Sequence, residues 1–128
     1  TPALSSAASD VYKRQGYNSF PRGIVDNRPE RQERLEKYFW FEHAERNAIY
    51  NAARIGVSTK GCTMYLTCGI PCADCARGII NAGISRIFVT RAQGPSSQKW
   101  QDSAERSMDM FDEAGVEVRW YDVETFGI

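Results

Sequence analysis

Residues 71–84 read PCADCARGIINAGI, and residues 42–53 read EHAERNAIYNAA. These two stretches decide the fold, because each opens a helix on residue types that bind metal. Cys72 and Cys75 form a C-x-x-C pair directly after Pro71. A helix starting at or just after Pro71 sets both thiols on one side, one turn apart. A helix N-terminus also favours the thiolate, the form that ligates. His43 is the single histidine of the chain and stands in an H-x-E triplet with Glu45. One imidazole and two thiolates make three ligands for a zinc ion (Zn2+). Three protein ligands leave the fourth tetrahedral position to water, the pattern of a catalytic zinc site. Such a site lowers the pKa of its water toward ~7. Glu45, two residues from His43, is the candidate proton carrier.

Outward from these stretches, helices alternate with short strands. Over 42–55, Ala44, Ala48, Ala52 and Ile55 recur at helical spacing, and Gly56 is a fair C-cap. Residues 62–67 are a β-prone run after Gly61, and 68–70 are a loop. The spacing predicts a helix over 72–82 ended by Gly83, then a buried-type strand over 84–90. A loop at 91–97 leads to a helix over 98–114. Its apolar stripe is Trp100, Ala104, Met108 and Phe111, and Gly115 ends it. Residues 116–121 alternate Val116, Val118 and Trp120 on one face, as a strand does. Strands joined by helical crossovers imply an α/β layered fold.

The chain before residue 42 is less regular. Residues 16–23, GYNSFPRG, form a turn-rich loop with two glycines and a proline. It offers backbone N–H groups, an amide and a guanidinium to a ligand, or serves as an ordinary connector. Residues 26–37, DNRPERQERLEK, read as a solvated segment in which Pro29 starts a short helix. Leu35, Tyr38 and Phe39 are expected to touch the core. Residues 1–15 are small and polar with no apolar period. Their SSAASDVYKRQ resembles a spurious translation found at the ends of metagenomic assemblies, which implies a non-native or disordered leader ahead of a domain over 16–128.

At 128 residues, 42% hydrophobic and 12% aromatic, the chain is one domain with a real core. Charge is balanced at 16 basic and 16 acidic residues, so no global positive field draws in a large polynucleotide. The charge is uneven: positions 13–37 carry seven basic residues against four acids, which suits a small anionic substrate. The four cysteines, Cys62, Cys68, Cys72 and Cys75, lie within 14 positions. That clustering fits a reduced, cytoplasmic compartment better than a disulfide scaffold. No apolar run approaches the ~18 residues of a membrane span.

The C-x-x-C pair has other meanings. A redox pair usually lacks an H-x-E partner. A four-cysteine structural site would need Cys62 and Cys68, whose C-x5-C spacing is irregular. Those two read instead as small buried hydrophobes.

Five segments carry a family resemblance: GYNSFPRG (16–23), EHAERNAIYNAA (42–53), GCTMYLT (61–67), PCADCARGIINAGI (71–84) and AGVEV (114–118). From residue 16 to about 121 the chain resembles the deoxycytidylate (dCMP) deaminases of the cytidine deaminase superfamily. H-x-E followed by P-C-x-x-C is the signature of zinc-dependent nucleobase deaminases. The resemblance implies metal ligation by His43, Cys72 and Cys75 and acid/base work by Glu45. It implies hydrolytic deamination of dCMP to dUMP. It places Asn18, and more weakly Ser19 and Arg22, at the sugar and phosphate. It assigns the ring carbonyl to the backbone at Ala44 and the exocyclic amine to the Ile70 carbonyl. Ser19 stands where the family usually has glycine. The family's dCTP and dTTP effectors and its homo-oligomers are further expectations.

The implied fold is a three-layer α/β/α sheet of five strands with helices on both faces. The family begins with a helix and a strand hairpin before the G-Y-N loop. Here at most a stub strand at 11–17 is expected, so the N-terminal helix and strands should be lacking. The strand at 62–67 would then be an exposed apolar edge. Two further readings stay open. One is a deaminase of tRNA adenosine or single-stranded DNA cytosine, kept alive by Arg22, Arg28, Arg31 and Arg34. The other is a truncated zinc-binding fragment without turnover.

Overall fold

The computed structural model describes residues 3–5 by their backbone, and residues 18–67, 69–91 and 97–121. Four short strands form one parallel sheet in chain order: β1 (Ala3–Ser5), β2 (Thr63–Tyr65), β3 (Arg86–Val89) and β4 (Glu117–Trp120). The helices are α1 (Pro29–Gln32), α2 (Ala44–Arg54), α3 (Ala73–Asn81) and α4 (Gln98–Ala114), with a 3-10 turn at Glu36–Phe39. The α/β class expected from the alternation is the one observed. Helix α4 has the expected bounds, while the strands are trimmed at both ends to the residues that pair.

The register explains the layering. Met64 sits opposite Ile87, and Ile87 opposite Val118; Tyr65 sits opposite Phe88, and Phe88 opposite Arg119. The Met64–Ile87 face is buried with Ala48 and Ala52 of α2, Ala76 and Ile79 of α3, and Phe111 of α4. All three long helices therefore lie on one face, as right-handed crossovers between sequentially adjacent parallel strands require. On the other face Tyr65 and Phe88 stack with ring centroids 5.0 Å apart. Among the described residues no helix packs on that face.

Three local expectations are corrected. The edge of β2 is not bare, because Ala3–Ser5 pairs with it in parallel; the stub strand expected at 11–17 lies outside the described residues. Leu35, Tyr38 and Phe39 do not reach the core but are 70%, 59% and 84% exposed. Leu35 takes φ 76°, a left-handed conformation rare for a branched residue, and the 3-10 turn after it points outward. In α4 the buried positions are Ser107 and Phe111, whereas Trp100 is 37% exposed. Phe111 is buried and Met108 packs against the core as expected, while Ser107 is buried beside them and Trp100 is not.

The turns hold the two key helices in place. Gly83, at φ 81°, closes α3; a Cβ there would stand 3.1 Å from Lys60 Cα, so the return into β3 needs glycine. Helices α2 and α3 both begin at the end of the sheet where β2 runs out. Open parallel sheets bind ligands at that carboxyl end.

Candidate metal centre and active site

His43 is the N-cap of α2 and Cys72 the N-cap of α3, both in extended backbone conformation. Two helix starts therefore meet. His43 Nδ1 lies 3.5 Å from Cys72 Sγ and 3.3 Å from Cys75 Sγ. The three ligand atoms fall within 4.8 Å of one another. Tetrahedral bonds of ~2.3 Å to sulfur and ~2.0–2.1 Å to nitrogen imply N···S separations of ~3.6 Å. The donor set and its spacing fit zinc.

The sulfurs are electrostatically unlike. Cys72 accepts hydrogen bonds from the Cys75 side chain, from His43 and from the Cys75 backbone N–H, and its pKa falls to about 4. Cys75 is pushed up, because its thiol proton serves Cys72 and because it is buried beside Glu45. His43 is raised, first by its hydrogen bond to Cys72, with burial opposing. A bound divalent ion would replace the protons on His43 Nδ1 and Cys75, since coordinating thiols are deprotonated.

Glu45 is buried, 6% exposed, and its carboxyl reaches the Cys75 side chain. Arg46, one position on, pairs with Glu42 at 2.7 Å, and its charge interacts favourably with both cysteines. Glu42 also accepts the His43 N–H through Oε1 at 3.0 Å. Neither Glu42 nor Arg46 was singled out by motif reading, since only contacts with the ligand residues mark them.

The 16–23 loop is joined to this centre at its described end. Ser19 and Glu42 exchange backbone hydrogen bonds of 3.2 and 2.8 Å. Asn18 Oδ1 accepts the Ala44 N–H at 2.7 Å. Asn18 thus caps α2 from 26 residues away, where His43 gives no side-chain cap. The Ala44 N–H assigned to a ring carbonyl is engaged by Asn18 in this structure. Ser19 Oγ accepts from the Asn47 amide at 3.3 Å, and Arg22 donates to Asn51 Oδ1 at 2.7 Å. Asn51 is eight residues from His43, ~12 Å along the helix. Ser19 and Arg22 therefore line, with Asn47 and Asn51, a cavity of about 390 Å³ beside α2 rather than gathering at the sulfurs. Positions 43, 47 and 51 share one helix face, a spacing from which the two asparagines were legible. Ile70 precedes the ligand turn and packs against the core. Cys62 is buried, with its Sγ 3.6 Å from the Ser58 carbonyl, away from the ligand set; Cys68 lies outside the described residues.

A single α/β sheet with one imidazole, two thiolates and a buried carboxylate at paired helix starts defines a deaminase-type zinc centre. The cytidine and deoxycytidylate deaminase zinc-binding region matches residues 9–91, and the chain belongs to that family. A deaminase of Aliivibrio fischeri, described as an uncharacterized deaminase in the luxG 3' region, is 38% identical over 105 residues, covering 82% of this chain and 68% of that protein. Human deoxycytidylate deaminase is 37% identical over 111 residues, covering 81% of this chain and 57% of its own length. This chain thus spans little more than half of that relative. Among solved structures, the dCMP deaminase of cyanophage S-TIM5 in apo form superimposes with a TM-score of 0.58 at 25% identity, covering 83% of this chain and 68% of that one. The cofactor of the family region is zinc, and the His43, Cys72 and Cys75 donors suit it. Among the described residues no helix is long and apolar enough to cross a membrane.

Proposed function

We propose that this chain deaminates dCMP hydrolytically to dUMP, releasing ammonia. The observation that carries the reading is the convergence of His43 Nδ1, Cys72 Sγ and Cys75 Sγ with the buried Glu45 carboxyl against Cys75. Zinc, when bound, supplies Lewis-acid activation of water. Glu45 takes a proton from the attacking water and delivers it to the ring nitrogen next to the reacting carbon, then moves the second proton, from the newly added hydroxyl, to the departing amine. Water adds one oxygen to the ring carbon and the amine leaves from the same carbon, so the atoms balance. His43, Cys72 and Cys75 are the ligands in this reading.

Asn18 fixes the loop at the start of α2 and is the nearest candidate for the sugar; Ser19 and Arg22 extend the polar wall toward the cavity. The backbone at Ala44 reads the ring carbonyl once Asn18 releases it, and the Ile70 carbonyl reads the exocyclic amine. Deoxycytidylate deaminases among the similar proteins support the nucleotide substrate. The thiolate ligation proposed for Cys72 and Cys75 supports a reduced, cytoplasmic setting. Exposed Leu35, Tyr38, Phe39 and Tyr50 support a homo-oligomer, on which dCTP and dTTP would act as effectors.

The test offers dCMP, cytidine and a cytosine-containing single-stranded oligonucleotide to the zinc-loaded chain and measures ammonia release. Selective turnover of dCMP is the expected result. Turnover of the oligonucleotide alone overturns the mononucleotide reading, and zinc binding without any turnover makes the chain a binding fragment.

A further inference from the structure

The turn that carries Cys72 is held from outside its own helix. The Pro71 carbonyl accepts from Ser107 Oγ at 2.7 Å. The Ala73 N–H donates to Ser103 Oγ at 2.8 Å. Pro71 has no N–H, so this carbonyl is its only backbone hydrogen-bonding group, and Pro71 is almost fully buried. Ala73 is the first residue of α3, whose leading N–H groups have no partner within the helix. The Cys72 sulfur caps the later Cys75 N–H at 3.5 Å, which leaves Ala73 to find a partner elsewhere. Ser103 and Ser107 stand one turn apart on α4, so a single helix face meets both peptide groups that flank Cys72. Ser107 is completely buried, and its hydroxyl also lies 3.1 Å from the Ser103 carbonyl, which joins the two contacts.

We propose that Ser103 and Ser107 are positioning residues that clamp the peptide groups on either side of Cys72 and so preset its sulfur for the metal. The inference rests on the zinc-centre reading and adds α4, which supplies no ligand, to the groups that govern it. With both contacts made, Cys72 is held at φ −65° and ψ 167°, with its Sγ facing His43 Nδ1. Without them the turn can rotate, and the ion must itself order the ligand. Groups that orient metal ligands typically alter affinity by ~10–100-fold when removed.

Alanine suits the interior of α4 better than serine, so Ser→Ala leaves the helix itself intact. The test compares the wild-type chain with Ser103→Ala, Ser107→Ala, the double variant and Ser103→Thr, which keeps the hydroxyl. A core variant away from the clamp, Ile87→Val, controls for general loosening. Zinc affinity is read by competition with a chromophoric chelator, the thiolate-to-metal absorption is read after cobalt loading, and folding is checked by circular dichroism. Each alanine variant is expected to bind zinc ~10–100-fold more weakly with an altered cobalt band. Ser103→Thr should match wild type. The double variant should lose less than the product of the single losses, because both serines act on one residue. Alanine variants with wild-type affinity and an unchanged cobalt band overturn the clamp alone, as does an equal loss in Ile87→Val. A wild-type chain that takes up no zinc overturns the zinc reading and the clamp together.

Discussion

Replacing Glu45 by glutamine should lower turnover by ~10²–10⁴-fold while zinc stays bound. Glutamine keeps the size of the side chain and its capacity for a hydrogen bond, but it cannot accept and return a proton. Glu45 is only 6% exposed, so bulk buffer has poor access to take its place as proton carrier. In the proposed centre the ligands are His43, Cys72 and Cys75 and not Glu45, so the metal content should remain near one per chain. Ammonia release and metal analysis on the same preparation check both halves. Normal turnover in this variant would remove Glu45 from the chemistry. Loss of zinc would show instead that the carboxylate helps to hold the ion.

Cys75→Ser should have the largest effect on metal binding. The Cys75 side chain is buried, lies 3.3 Å from His43 Nδ1, and bonds to Cys72 and Glu45. A serine oxygen is a poor ligand and leaves the other groups of the centre mismatched. Zinc affinity should fall well beyond the ~10–100-fold typical of supporting residues. A ligand present at 100 times its dissociation constant stabilises the fold by about 2.7 kcal/mol. For a domain of this length, losing that contribution lowers Tm by roughly 10 °C in zinc-containing buffer. Cys62→Ala provides the contrast. Cys62 is buried just before β2, with its sulfur at the Ser58 carbonyl and outside the His43–Cys72–Cys75 group, so its loss should weaken packing and leave zinc in place. Equal zinc loss in the two variants would mean that the ligand set has been misassigned.

The parts legible in the sequence are those where chemistry or periodicity leaves few options. Metal ligation admits few residue types, so His43 and the Cys72–Cys75 pair were visible without coordinates. The α2 stripe is buried at Ala44, Ala48 and Ala52 as the period implies, because small residues every fourth position permit close packing, whereas Ile55, expected in the same stripe, is 44% exposed. The α4 stripe held at Met108 and Phe111 and misled at its start, because a polarity-based pattern counts Trp100 as core and serine as surface. A buried serine with a specific acceptor reverses that ranking, as Ser107 does against Pro71. Leu35, Tyr38 and Phe39 misled for the opposite reason: their apolar character says nothing about the left-handed residue that turns them outward. The joining of Asn18 to Ala44 depends on tertiary approach across 26 positions, which no local pattern encodes. The same holds for Arg22, whose side chain is drawn down α2 by Asn51.

The most direct measurement of the central claim is X-ray absorption at the zinc edge on the zinc-loaded chain. A centre built from His43, Cys72 and Cys75 with one open position gives two sulfur scatterers at ~2.3 Å and two nitrogen or oxygen scatterers at ~2.0–2.1 Å. A shell of four sulfurs would bring Cys62 and Cys68 into the centre, close the site to water, and contradict the account.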